Sequence, residues 1–209
     1  MSVDWHAVHA HLRRGGVVAH PTETVYGFAA PVSEDGVAAL RALKGRQPDR
    51  PFLVLVPDNH RGREWLDELV WTPPARELAR RFWPGPVTLI LSDRGGRIPQ
   101  GVRNVDGGVA VRVSPHPVAG ELLTRWDGPL LSTSANRSGD PPAVTAQDVE
   151  ASFPEAIDEG SLLVVDGGAL EPSLPSTLVD CTGDRPWIVR EGAVPARTLT
   201  RELEEIHGR

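Results

Sequence analysis

The sequence predicts an α/β fold, built on a single twisted, open, mixed sheet with flanking helices. Three observations lead there. Short apolar runs of strand length alternate with amphipathic stretches of helix length along the chain. No repeat, low-complexity tract or clear linker interrupts that alternation. A chain of 209 residues can bury one sizeable core, so a single domain over residues 1–209 is expected.

The elements follow in order. Residues 4–14 read as an amphipathic helix. Trp5, Val8 and Leu12 share a face, Asp4 sits in the first turn, Arg13 and Arg14 in the last, and Gly15-Gly16 ends it. His6, His9 and His11 come without a thiol or carboxylate pattern, so they read as surface histidines and not as metal ligands. A strand at about 16–20 stops at Pro21, and two threonines, a glutamate and a tyrosine crowd the loop before Gly27. Ser33 or Asp35 caps a helix that runs to Lys44, with Val37, Leu40 and Leu43 apolar; Gly45 breaks it. A stiff loop carries Arg46 and Arg50 to a strand over 52–56. Helices are expected near 61–70 and 74–82, the second started by Pro73-Pro74. A rigid Trp83-Pro84-Gly85-Pro86 corner leads to a strand over 87–91, and a turn near 93–96 follows. Alternation over 109–113 puts Arg112 among strand apolars, where an unpaired charge is costly and an ion pair or a bound anion is needed. A helix over 116–126 precedes a short strand and the polar loop Ser132-Thr133-Ser134-Ala135-Asn136-Arg137-Ser138-Gly139. Thr145 caps a helix to about 152, with Asp148 at its third position. Strands over 162–165, 177–180 and 187–190 and a polar helix over 197–207 complete the chain.

Composition narrows the function. Of 22 basic side chains, 21 are arginine; the one lysine is Lys44, and the one tyrosine is Tyr26. An ammonium and a guanidinium are not interchangeable, so Lys44 and Tyr26 are read as parts of one site. A net charge of −6 argues against a general nucleic-acid coat. From Arg41 to Arg103, however, twelve Lys/Arg stand against seven Asp/Glu, a local cationic basin suited to small anions or an RNA backbone. Cys181 is alone, which excludes an internal disulfide and a multi-cysteine metal site. No run approaches a membrane span and no secretory leader is seen, so a cytoplasmic protein without membrane contact is expected.

Ligands in open α/β sheets sit where strands end. Thr22, Thr24, Ser134, Asn136, Ser176 and Arg190 fall at expected strand ends. The common phosphate loops and the nucleophile elbow are absent. What remains is a set of cations (Lys44, Arg46, Arg50, Arg112, Arg190) among hydroxyls and one amide. Such a set binds anions by charge-assisted hydrogen bonds and suits a reaction in which the substrate brings its own nucleophile.

Seven segments in order resemble the YrdC/Sua5 family of threonylcarbamoyl-AMP synthases over roughly residues 15–195. They are His20-Pro-Thr-Glu-Thr-Val-Tyr-Gly27; Lys44-Gly-Arg46 with Arg50-Pro51; Phe82-Trp-Pro-Gly-Pro-Val-Thr-Leu-Ile-Leu91; Val109-Ala-Val-Arg112 with His116-Pro117; Ser134-Ala-Asn-Arg-Ser-Gly139; Ser176-Thr-Leu-Val-Asp180; and Val189-Arg190-Glu-Gly192. The resemblance implies a large electropositive pocket and a reaction of L-threonine, bicarbonate or CO2, and ATP. The products would be threonylcarbamoyl-AMP and pyrophosphate, for threonylcarbamoyladenosine formation at position 37 of tRNA. Mg2+ would accompany ATP, and tRNA threonylcarbamoyltransferase proteins would act downstream. By motif position, Thr24, Arg112, Ser134 and Ser176 fall on the threonine side, with Arg112 on the α-carboxylate. Lys44, Arg46, Arg50, Asn136, Thr145 and Arg190 fall on the nucleotide side, with Lys44 and Arg46 catalytic. Thr22 and Tyr26 would shape the pocket. The chain departs from the pattern at Leu55, where the family sometimes has histidine, and at Pro175, where glutamate is common. The C-terminal domain of the longer Sua5 type is not expected. Two alternatives stand beside the synthase: a non-catalytic module of the same fold that binds tRNA or double-stranded RNA, and an adenylating module like that of hydrogenase maturation proteins.

Overall fold

The computed structural model describes residues 3–45 and 50–207. In chain order the elements are α1 (Trp5–Arg13), β1 (Val17–Pro21), β2 (Tyr26–Pro31), α2 (Glu34–Lys44), β3 (Leu53–Leu55), α3 (His60–Leu66), α4 (Pro73–Phe82), β4 (Val87–Ser92) and β5 (Gly108–Arg112). Then come α5 (Pro117–Trp126), β6 (Leu130–Ser134), α6 (Ala146–Ser152), α7 (Pro154–Asp158), β7 (Leu162–Val164), β8 (Thr177–Asp180), β9 (Trp187–Arg190) and α8 (Ala196–His207). The strands form one nine-stranded mixed sheet in the order β7-β1-β2-β6-β3-β5-β4-β8-β9. No helix among the described residues is long and apolar enough to cross a membrane.

Local chemistry explains the helix ends. Ser33, not Asp35, caps α2: its Oγ accepts from Gly36 N at 3.1 Å. Gly45 closes the same helix in the left-handed region, at φ 61°. Thr72 caps α4 ahead of Pro73 and Pro74. Thr145 and Asp148 form the expected reciprocal capping box on α6.

Side-chain alternation sorts the sheet into two faces. One face carries Val17, Ala19, Phe28, Val54, Leu89, Leu91, Val109, Val111 and Val179 into the larger core. Val37 and Leu40 of α2, Ala75 and Leu78 of α4, Val149 of α6 and Leu199 of α8 cover it. The other face is covered only in part. Val8 and Leu12 of α1 and Leu122 and Leu123 of α5 pack on Val18, Ala29, Leu55 and Leu130. Past Leu55 and Leu130 this cover ends, and the remainder of the face is the floor of a cavity.

The structure adds two elements that the sequence pattern does not show and corrects one expectation. The strand β2 went unrecognised, because Gly27, Ala29, Ala30 and Pro31 carry little strand propensity; it lies between β1 and β6 and is almost wholly buried. The short helix α7 also went unrecognised. The three N-terminal histidines are not equivalent surface groups. His6 is exposed and His9 packs its ring 5.5 Å from that of Trp126, but His11 is buried, with Nε2 3.0 Å from Val17 O.

Candidate functional site

A cavity of about 390 Å³ lies over the bare part of the sheet. Its floor is made from alternate positions of adjacent strands: Gly108, Ala110 and Arg112 of β5, Thr88 and Ile90 of β4, Ser132 and Ser134 of β6, and Leu178 of β8. Small side chains in the middle of a strand leave room above the sheet. The ligand space therefore lies across the sheet face and not only at strand ends, which corrects the expectation drawn from open sheets. Among the described residues that line it are three arginines (Arg50, Arg112 and Arg190) and no carboxylate.

Thr22 and Thr24 enter from the turn between β1 and β2. Thr22 Oγ donates to Val25 O at 2.8 Å and accepts from the amides of Thr24 and Val25, so the hydroxyl builds the turn that presents Thr24. Thr24 Oγ lies 3.5 Å from Arg112 Nη1. Arg112 is 4% exposed, and Glu23 Oε1 lies 3.4 Å from its Nη1. Burial pulls the Arg112 guanidinium below the ordinary arginine value; Glu23 opposes this and nearby Arg190 adds to it. The charge that alternation placed in β5 thus has an ion-pair partner and still lines the cavity.

Ser176 shares a 2.7 Å hydrogen bond with Thr88 across the floor. Its carbonyl accepts from Arg190 Nη2 at 2.9 Å. A bulge decides where Arg190 points. Ile188 stands opposite Val179 on the core face, yet Arg190 stands opposite Leu178 on the cavity face. Strict alternation would give Ile188 and Arg190 the same face, so the extra residue Val189 turns the arginine over the cavity. Behind this corner, Thr177 Oγ accepts from the amides of Gly192 and Val194 and donates to Val194 O. A Cβ at Gly192 would lie 2.0 Å from Pro175 O, so only glycine lets the two chain segments approach this closely.

Ser134 lines the cavity and donates to Asn136 Oδ1 at 2.6 Å. Lys44 stands behind this loop and does not appear in the cavity wall. Its ammonium donates to Ser134 O, Asn136 O and Asn136 Oδ1 at 2.5, 2.9 and 2.7 Å, and lies 5.8 Å from the Phe28 ring centroid. Tyr26 is also set back: its hydroxyl donates to Gly168 O and accepts from Gly167 N, pinning the segment after β7. Lys44 and Tyr26 therefore brace two different loops. Thr145 is likewise outside the wall, with its hydroxyl accepting from Asp148 N. Arg46 lies outside the described residues.

The structure thus gathers Thr22, Thr24, Arg50, Arg112, Ser134, Ser176 and Arg190 around one cavity, with Asn136 and Lys44 behind its edge. Sequence reasoning gave no role to Thr88, Asn104, Glu23 or Ser114. Thr88 carried a signal, a hydroxyl alternating with strand apolars; Asn104, whose Oδ1 accepts from Asp106 and Gly108 amides, carried none.

A family model for Sua5, YciO and YrdC proteins, described as "Telomere recombination", matches residues 10–192. The chain is 40% identical over 172 residues to a threonylcarbamoyl-AMP synthase of Chromohalobacter salexigens, covering 82% of this chain and 89% of that one. A threonylcarbamoyl-AMP synthase of Xanthomonas oryzae is 40% identical over 164 residues, 77% of this chain and 85% of the relative. The fold superimposes on Pyrococcus abyssi Sua5, crystallised in complex with L-threonine, with a TM-score of 0.84 and 31% identity; the match covers 95% of this chain and 56% of that one. The family match spans most of the chain, and these relatives exceed 30% identity over most of their own length: the chain belongs to the Sua5/YciO/YrdC family.

Proposed function

We propose that the chain makes threonylcarbamoyl-AMP and pyrophosphate from L-threonine, bicarbonate or CO2, and ATP, and that the reaction runs in the cavity over the sheet. Identity of 40% to synthases over most of the chain supports the activity. The observation that carries the location is the wall itself: three guanidinium groups face one space with hydroxyls between them and no carboxylate among the described lining residues. Both reacting partners are anions. The amine of threonine adds to CO2 and loses a proton, giving an N-carboxylate. A carboxylate oxygen attacks the α-phosphorus of ATP, the bond from that phosphorus to the bridging oxygen breaks, and pyrophosphate leaves. Fixed cations hold the two anions together and stabilise the charge that builds at phosphorus. No enzyme nucleophile is needed.

Arg112, with Thr24, Ser134 and Ser176, takes the threonine, its guanidinium on the α-carboxylate. Arg190, Arg50 and Arg46 take the phosphates. Lys44 and Asn136 hold the loop that presents Ser134. Thr22 shapes the wall and Tyr26 braces the segment behind it; Thr145, outside the described wall, is assigned to the nucleotide side. Mg2+ would accompany ATP. The described lining supplies no carboxylate, and no cluster of three His, Cys, Asp or Glu side chains suited to a metal is found among the described residues. In this reading the ion would offset the charge of the triphosphate. The product is a mixed anhydride for tRNA threonylcarbamoyladenosine formation, consumed by a downstream transferase.

Pyrophosphate release from ATP and Mg2+ tests this. Release should require both L-threonine and bicarbonate, with serine a poor substitute. Release independent of threonine would overturn the reading.

A further inference from the structure

We propose that Glu23 and Ser114 are positioning residues that hold the Arg112 guanidinium in its threonine-binding orientation, through an ion pair to Glu23 and two hydrogen bonds that run from Glu23 back to the start of α5. The proposal rests on the assignment of Arg112 to the α-carboxylate. The line is continuous. His116 N, at the cap of α5, donates to Ser114 Oγ at 3.2 Å. Ser114 Oγ donates to Glu23 Oε2 at 2.5 Å. Glu23 Oε1 lies 3.4 Å from Arg112 Nη1, and Arg112 lines the cavity. Ser114 therefore joins a helix start to a carboxylate in the β1–β2 turn, 91 residues away in sequence.

Two details separate positioning from ligand contact. Glu23 Oε1 is sealed from solvent and makes no hydrogen bond, so what it meets is the guanidinium and not a molecule in the cavity. Arg112 Nε is likewise buried without a partner. The side chain is therefore not locked by a full set of its own hydrogen bonds, and its aim depends on the charge beside it. Arg190 faces the same space and repels it. A buried guanidinium beside a second guanidinium needs a fixed counter-charge to stay in place. Glu23 supplies the charge, and Ser114 fixes the carboxylate that carries it.

The experiment is steady-state pyrophosphate release with L-threonine and ATP titrated separately, for the wild type, Arg112→Ala, Glu23→Gln, Ser114→Ala and the double variant Glu23→Gln/Arg112→Ala. Glu23→Gln keeps the size of the side chain and removes its charge. It should raise the threonine KM about tenfold and leave the ATP KM within about twofold. Ser114→Ala should move the threonine KM the same way by a smaller factor, and it carries the test if Glu23→Gln fails to fold. Adding Glu23→Gln to Arg112→Ala should cost nothing further, because the group being positioned is gone. A full additional penalty in the double variant, or equal rises in both KM values, would overturn the proposal. Arg112→Ala raising the threonine KM while Glu23→Gln and Ser114→Ala leave it unchanged would overturn positioning alone. Arg112→Ala leaving the threonine KM unchanged would overturn the threonine-side assignment and this proposal with it.

Discussion

Replacing Lys44 with methionine should cost both stability and turnover, and the structure says how much. Lys44 is 6% exposed, and its ammonium donates to Ser134 O, Asn136 O and Asn136 Oδ1. A hydrogen bond with a charged partner contributes roughly 1.5–3 kcal/mol, and three on one group are not additive. Desolvation of the ammonium offsets part of their sum. Methionine keeps apolar bulk beside Phe28, but Asn136 O loses the ammonium and Ser134 O keeps only its bond from the Asn136 amide at 3.1 Å. The net loss expected is about 3 kcal/mol, or a fall in Tm of roughly 6–12 °C for a chain of this size. Turnover should fall with it, because Ser134 and Asn136 lose the group that sets their loop. Thermal and urea unfolding, read beside pyrophosphate release, measure both. A variant with wild-type Tm and no activity would refute the bracing role and make Lys44 purely a ligand group. A destabilised variant that keeps full turnover would refute its link to the site.

His20 is fully buried on β1, and burial, with smaller contributions from His116 and Arg112 against the opposing Pro21 carbonyl, lowers its pKa from 6.5 to about 4. The folded state holds it neutral, so its share of stability is present above pH 6.5 and is lost as the pH falls toward 4. The wild type should lose about 3 kcal/mol more than His20→Asn across that window, and parallel stability curves would contradict the assignment. Burial, with Asp180 as a lesser contributor, pushes the Cys181 thiol up to about 12. A disulfide reagent at pH 8 should label it only after unfolding, and rapid labelling of the native protein would contradict its burial.

What was legible in the sequence was local. Apolar runs and caps located most strands and helices, because period and cap chemistry are written within a dozen residues: Ser33, Pro73-Pro74, Thr145 and Gly45 all act where the sequence places them. The residue types of the cavity wall were legible for the same reason, as hydroxyls and arginines breaking apolar strands. The location of the cavity was not. It depends on where α1 and α5 stop covering the sheet, a fact distributed over Val8, Leu12, Leu122 and Leu123. The orientation of Arg190 was hidden by the bulge at Val189, which reverses the face that alternation assigns. Lys44 and Tyr26 were noticed through their rarity, which marks a residue without saying what it touches. Each proved to reach backbone groups more than 80 positions away.

The central claim is that one cavity holds two anions at two ends, threonine at Arg112 and the phosphates at Arg190. Calorimetric titration of L-threonine and of ATP with Mg2+ into Arg112→Ala and Arg190→Ala tests it directly. Arg112→Ala should weaken threonine binding by about tenfold or more and leave ATP binding nearly unchanged, and Arg190→Ala should do the reverse. Equal losses of both ligands in either variant would contradict the division of the cavity.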